Sequence, residues 1–181
     1  QFYFLVLDPQ RFTLTERPEG PLVPRQGDGE AAWRRTPFFH ALIRYTSPPF
    51  PLQNGGLRRA EQPVSGFFLT ADLCPSRKPL DRDFITDMLA LPLRRPIPLA
   101  FMVSGHWLQR HQADFAWLKT LAETGQLAIT WVNHSFSHPY GPQVPLERNF
   151  LLARKADFRQ EVLMLEQLLI EQGVFPSPFF R

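Results

Sequence analysis

Short apolar runs and longer amphipathic stretches take turns along residues 64–181, and that rhythm sets the first expectation. Gly66-Phe67-Phe68-Leu69-Thr70-Ala71 is a continuous apolar run ending at Asp72, the pattern of a buried strand. After a proline-containing loop, Asp81 to Leu91 places Phe84, Ile85, Met88 and Leu89 on one helical face. Pro98 to Val103 reads as a second strand closed by a Ser104-Gly105 turn, and Leu127 to Val132 as a third. Between them, Ala113 to Thr124 carries Trp117, Leu118 and Leu121 on one side and stops at Gly125. Asp157 to Gln172 is the clearest helix. Asp157 and Gln160 have capping-box spacing, Phe158, Val162, Leu165 and Leu169 form a stripe, and Gly173 terminates it. Phe179-Phe180-Arg181 reads as the start of a fourth strand.

Alternation of buried strands with helices predicts a parallel sheet or an α/β barrel. The strands counted do not complete a barrel, so the architecture is expected either to continue beyond Arg181 or to be an open sheet. Residues 1–63 behave differently. Gln1 to Leu7 is a strand candidate, but Pro9, Pro18, Pro21 and Pro24 interrupt any period, as do Pro48-Pro49, Pro51 and Asn54-Gly55-Gly56 further on. Phe38 to Ile43 fits a strand or a helical turn equally well. A loop-rich extension is expected there, ahead of an α/β body over 64–181.

Composition narrows the classes. With 44% hydrophobic and 20% charged residues, the 181-residue chain can bury a sizeable core, while 19 prolines argue against long uninterrupted helices. The net charge of +3 is spread over scattered pairs such as Arg34-Arg35, Arg58-Arg59 and Arg94-Arg95, so no nucleic-acid stripe is expected. A single cysteine, Cys74, precludes an internal disulfide or a cysteine-rich metal site and reads as a buried packing residue. No apolar run approaches the roughly 18 residues of a membrane span.

The chemistry-bearing residues cluster at strand ends. His134 and His138 follow the third strand at a four-residue spacing that suits capture of one divalent ion, zinc or a metal of similar preference, although packing alone also accounts for such a pair. Asp72 ends the first strand, so a parallel sheet brings it to the same rim. It is also placed to cap the loop before Pro75.

Phe68-Leu69-Thr70-Ala71-Asp72-Leu73-Cys74-Pro75-Ser76 resembles the first motif of polysaccharide deacetylases of the NodB-homology type (carbohydrate esterase family four), T-F-D-D-G-P-S. Asn133-His134-Ser135-Phe136-Ser137-His138-Pro139 is similar to their second, N-H-[ST]-x-S-H-P, and Arg181 resembles the leading Arg of the third, R-x-P-x-G. Leu99 to Gly105 stands where that family has its A-T-F-F-V-x-G strand.

The resemblance implies a partial or distorted (β/α) barrel that hydrolyses N-acetyl groups on an amino-sugar polymer with water activated by a His-ligated metal. It implies Asp72 as general base, Arg181 as its orienting partner, His134 and His138 as metal ligands, and Ser135 as a loop tie. Tyr140, just past His138, is placed as a sugar-stacking platform. Trp107, Trp117 and Trp131 read as packing residues. Such glycans lie outside the cytoplasm, so a periplasmic or secreted protein is implied. The sequence departs from the pattern at Leu73, where the family has its metal-binding Asp, and the fourth and fifth motifs, including the late histidine acid, have no counterpart. The alternative is therefore an inactive, deacetylase-like module that binds or scaffolds glycan.

Overall fold

The computed structural model describes residues 3–8, 10–11, 13–18, 30–47 and 65–181. They fall into two units, Gln1–Ser65 and Gly66–Arg181. Pro9, Pro21, Pro24, Pro48, Pro49, Pro51, Arg58, Arg59 and the Asn54-Gly55-Gly56 break lie outside the described residues.

In the first unit, Tyr3–Asp8 (β1) pairs antiparallel with Thr13–Pro18 (β2), in register from Tyr3 opposite Pro18 to Asp8 opposite Thr13. The Asp8 carboxylate stabilises the intervening turn by accepting the main-chain N–H groups of Gln10 and Arg11 at 2.8 and 3.1 Å. Pro18 thus ends a strand rather than breaking one. Glu30–Trp33 forms a single turn, α1, and Pro37–Thr46 forms α2. Thr36 caps α2 by accepting the Phe39 N–H at 3.2 Å, and Pro37 sits at a first-turn position where its missing N–H costs nothing. Capping settles Phe38 to Ile43 as helix.

The second unit is mixed α/β around a parallel sheet of three strands, Thr70–Leu73 (β3), Ile97–Val103 (β4) and Leu127–Asn133 (β5), in that order. It is open among the described residues. Arg82–Ala90 (α3) connects β3 to β4, and Gly105–Arg110 (α4) with Gln112–Glu123 (α5) connects β4 to β5. Phe158–Glu171 (α6) follows a long loop carrying two short 3-10 turns. The caps expected from sequence form: Asp81 accepts the Phe84 N–H, Asp157 accepts the Gln160 N–H, and Gly125 and Gly173 take the left-handed conformation just beyond α5 and α6.

The core lies between the sheet and its helices. Ile85, Phe101, Leu108, Leu118, Leu127, Leu165 and Leu169 are fully buried, each contributing about 1.5–3 kcal/mol through loss of water contact. Trp131 packs between Phe101 and Phe115 with ring centres 6.1 and 5.1 Å away, and Trp107 is buried in the same core. Strands β4 and β5 alternate exposed and buried positions in their first halves and are enclosed on both faces only in their last three residues. The sheet is therefore driest where it delivers its loops.

Four details differ from the expectation. The first strand begins at Thr70, leaving Phe67 and Phe68 each 85% exposed, because an apolar run becomes a strand only where a neighbour supplies ladder partners. Ser104-Gly105 opens α4 instead of closing a turn. Phe84 and Phe158 face outward from their helices, leaving Ile85 and Met88, and Leu165 and Leu169, as the buried stripes. Phe179 to Arg181 contributes a single parallel bridge, Asn133 opposite Phe180, in which Asn133 N–H donates to the Phe179 carbonyl and Arg181 N–H to the Asn133 carbonyl.

Candidate metal centre

Parallel register puts Leu73, Val103 and Asn133 level at the carboxyl rim. The chain leaves the sheet there at three adjacent points, delivering Cys74, Ser104 and His134. Cross-links fix the rim: Ser104 donates its N–H and hydroxyl to the Leu73 carbonyl, the latter at 2.7 Å, and His134 N–H donates to the Val103 carbonyl at 3.0 Å.

The loop after β5 folds back tightly. Asn133, buried, accepts the Ser135 N–H at 3.0 Å and donates its side-chain amide to the Val162 carbonyl of α6. Ser135 and His138 both adopt left-handed backbone, φ 62° and 50°, conformations that persist in non-glycine residues only where the surroundings dictate them. The dictating contacts are visible. The Ser135 hydroxyl accepts the His138 N–H at 3.1 Å, performing the loop-tying role assigned to it. Glu161 of α6 receives both the N–H and the hydroxyl of Ser137, at 2.7 and 2.5 Å. From the other side, the N–H groups of Gly105 and His106 at the start of α4 donate to the carbonyls of Ser135 and Phe136. Gly105 is required here, since a Cβ would lie 2.3 Å from the Phe136 ring.

His134 and His138 are thereby brought together, with ring centres 4.6 Å apart and ring planes tilted by 50°. His134 is buried, and its Nδ1 contacts the main-chain carbonyl of Arg181 at 2.5 Å. A carbonyl only accepts, so Nδ1 carries the proton and the Nε2 lone pair is free. This is the arrangement by which an outer contact prepares an imidazole as a ligand. Phe150, itself in left-handed conformation, packs its ring 4.9 Å from His138 and 6.0 Å from His134, closing one side of the pair. Its position is set by the buried Asn149, which bonds Gly141, Val144 and the Phe150 N–H.

The third member is Cys74. Its Sγ lies 3.5 Å from Nε2 of His134 and 3.6 Å from Nε2 of His138. The donor atoms of all three residues lie within 4.8 Å of one another, close enough to bind one metal ion. Cys74 is thus not the packing residue expected from sequence. Leu73, in the position of the expected carboxylate ligand, is 5% exposed and points into the core. Two residues apart on extended backbone, Asp72 and Cys74 leave the strand on the same side. The Asp72 carboxylate stands beside the group, and its charge acts on both Cys74 and His138. Arg181 reaches it with a guanidinium nitrogen 3.4 Å from Oδ2 and touches the Thr70 hydroxyl at 3.5 Å.

Electrostatics act in opposite senses on the two groups, disfavouring the thiolate at Cys74 and favouring the neutral imidazole at His138. Burial pushes the Cys74 thiol up, the Asp72 charge adds to this, and Arg181 opposes it. Burial and then the charge of His134 hold His138 below its ordinary value, against the charges of Asp72 and Glu161. The site therefore favours the neutral form of His138, the form in which nitrogen binds metal.

The loop after β3 has its own anchor. Asp114, buried on α5, accepts the Leu80 N–H at 3.1 Å and two bonds from Arg82, at 2.8 and 2.6 Å, while His111 and Arg110 bond the Ser76 carbonyl. Burial alone raises Asp114, but the Leu80 N–H and the Arg82 guanidinium, aided by His111, outweigh it and leave the carboxyl below its ordinary value. His111 thus belongs to the Asp114 anchor. Arg82 also lies over the Trp117 ring at 4.8 Å. Tyr140 is exposed, with its ring centre 6.3 Å from that of His138.

Sequence reasoning missed Cys74, Glu161, Phe150 and Asp114 as parts of the site. Only Cys74 carried a readable signal, its same-side spacing from Asp72. The chain matches no protein-family model and no solved structure.

Proposed function

We propose that the chain is a metal-dependent deacetylase acting on N-acetyl groups of an amino-sugar polymer, built as a partial barrel of the polysaccharide deacetylase type. The observation that carries this reading is the pairing of Asp72 with Arg181 beside two imidazoles whose Nε2 atoms both face one point. Two nitrogens and a sulfur within 4.8 Å form a donor set that fits a divalent ion of zinc-like preference. A cation held there supplies Lewis acidity, acidifying water and polarising an amide carbonyl.

The chain's own residues do the rest. Asp72 accepts the proton of the attacking water, and Arg181, paired with its carboxylate, aims it. His134 keeps its tautomer through the Arg181 carbonyl. Tyr140 offers an exposed aromatic face to a sugar ring, and the enclosed wall of Phe150 behind the histidines keeps water to one side. The bond formed is between the water oxygen and the carbonyl carbon, the bond cleaved is the amide C–N, and the proton held by Asp72 passes to the departing nitrogen, giving acetate and a free amine. A polymer substrate places the protein in the periplasm or outside the cell. No helix among the described residues is long and apolar enough to cross a membrane.

One observation favours the second reading, a glycan-binding module without catalysis: the expected carboxylate ligand is replaced by Leu73, buried in the core. Metal loading and turnover separate the two. After incubation with zinc and desalting, the wild-type chain retains about one equivalent and releases acetate from acetylated chito-oligosaccharides. The His134→Ala, His138→Ala double variant retains no metal, and Asp72→Asn lowers turnover by about 10²–10⁴-fold. Metal retention without any acetate release from acetylated glycans overturns the enzymatic reading in favour of the module.

A further inference from the structure

We infer that Cys74 is a metal ligand, so that the centre is a Cys-His-His site in which a thiolate takes the place of a carboxylate and Asp72 stays outside the coordination shell. The inference rests on the metal-dependent reading above and specifies its ligand set.

Distances carry it. A tetrahedral zinc-type ion with a sulfur at about 2.3 Å and a nitrogen at about 2.0–2.1 Å holds those two donors about 3.5 Å apart. The two observed Sγ···Nε2 separations are 3.5 and 3.6 Å. Hydrogen bonding explains them less well, because one thiol proton serves only one of two nitrogens, and the His134 Nε2 has no proton to return. Position agrees as well. Cys74 is held at the rim by the Ser104 contacts to the preceding carbonyl and by the Ser76 and Leu80 anchors beyond it.

Two consequences follow. On binding, the S–H bond breaks and its proton leaves to solvent as the sulfur–metal bond forms. With three protein donors supplied by Cys74, His134 and His138, Asp72 need not ligate and is available as a base, and the soft sulfur biases the site toward zinc or cobalt over magnesium, calcium and manganese.

Cobalt(II) chloride added to the full chain tests this, because thiolate coordination gives an intense near-ultraviolet charge-transfer band that nitrogen and oxygen ligands lack. The wild-type chain is expected to bind about one equivalent, to show the band, and to keep it in excess magnesium. Cys74→Ser abolishes the band and weakens cobalt binding by more than about 100-fold, beyond the effect typical of an outer contact. Alkylation provides a second readout that needs no variant: Cys74 is the only cysteine, so cobalt must protect the chain from iodoacetamide. Stoichiometric cobalt binding with no charge-transfer band and unprotected alkylation overturns the Cys74 assignment while leaving the metal reading intact. Failure of the wild-type chain to retain cobalt or zinc at all overturns the metal reading, and the Cys74 assignment with it.

Discussion

Cys74 and His134 face each other across the sheet rim, yet their loops are held by different means. The loop after β5 is fastened at almost every residue. Asn133, Ser135, Phe136, Ser137 and His138 each make a hydrogen bond within the loop or to α4 or α6. The loop after β3 is fastened where it leaves the strand, at the Leu73 carbonyl, and then at Ser76 and Leu80, chiefly by groups gathered around one buried carboxylate, Asp114. Many weak local ties make the imidazole pair tolerant of losing any single one. A sparse, remote anchor makes the thiol's position depend on α5.

Substitutions at three positions probe this contrast, beginning with the largest effect. Asp114→Ala removes the carboxylate shared by Leu80, Arg82 and His111 and is expected to destabilise the chain by about 2–3 kcal/mol in urea denaturation, since the freed Leu80 N–H is left without a partner. Its pH dependence has a definite sign. The folded-state pKa of Asp114 is depressed, so its contribution is fully present above the unfolded value of about 3.9 and is lost as pH falls through the folded pKa. The stability gap between wild type and Asp114→Asn therefore narrows as pH falls below that value. A gap that stays flat down to acid unfolding contradicts the assignment.

Next, Gly105→Ala drives a methyl group into the Phe136 ring and is expected to cost about 1–2 kcal/mol, because the ring can swing only by disturbing a half-buried loop. Near-ultraviolet dichroism should change while the far-ultraviolet spectrum holds. An unaltered stability shows that Phe136 is looser than its contacts imply. Smallest is Glu161→Gln, which keeps one acceptor for Ser137 and loses only the charge assistance. A loss of about 0.5–1 kcal/mol is expected, with cobalt stoichiometry unchanged. Should this conservative change abolish metal retention, the picture of many interchangeable ties is wrong.

Much of the second unit was legible because its signals are local. Asp81 and Asp157 announce helix starts through their own side chains, Gly125 and Gly173 announce ends through their backbone freedom, and β4 and β5 are apolar runs that find neighbours on the sheet. What was not legible depends on distant partners. Phe67 and Phe68 have the composition of a strand but no strand beside them. The six-residue α4 forms where Ser135 and Phe136, about thirty residues away in sequence, offer carbonyls to its first N–H groups. At the candidate site, the two histidines were marked by spacing within one loop, and the Arg181 pairing with Asp72 was expected from resemblance and is present at 3.4 Å. The role of Cys74 is set by a contact across sixty residues, and its spacing from Asp72 reveals only the side of the strand it leaves from. Glu161, similarly, is an unremarkable helix acid until α6 is laid against the loop.

Arg181 touches the site twice, by its guanidinium on Asp72 and by its carbonyl on His134. A carbonyl is the same in every amino acid, so the imidazole's tautomer is indifferent to which residue occupies position 181, whereas the carboxylate's orientation is not. One half of this double contact can drift under mutation while the other is inherited with the strand path itself. Substituting the side chain thus adjusts the base alone, leaving the histidine edge poised as before.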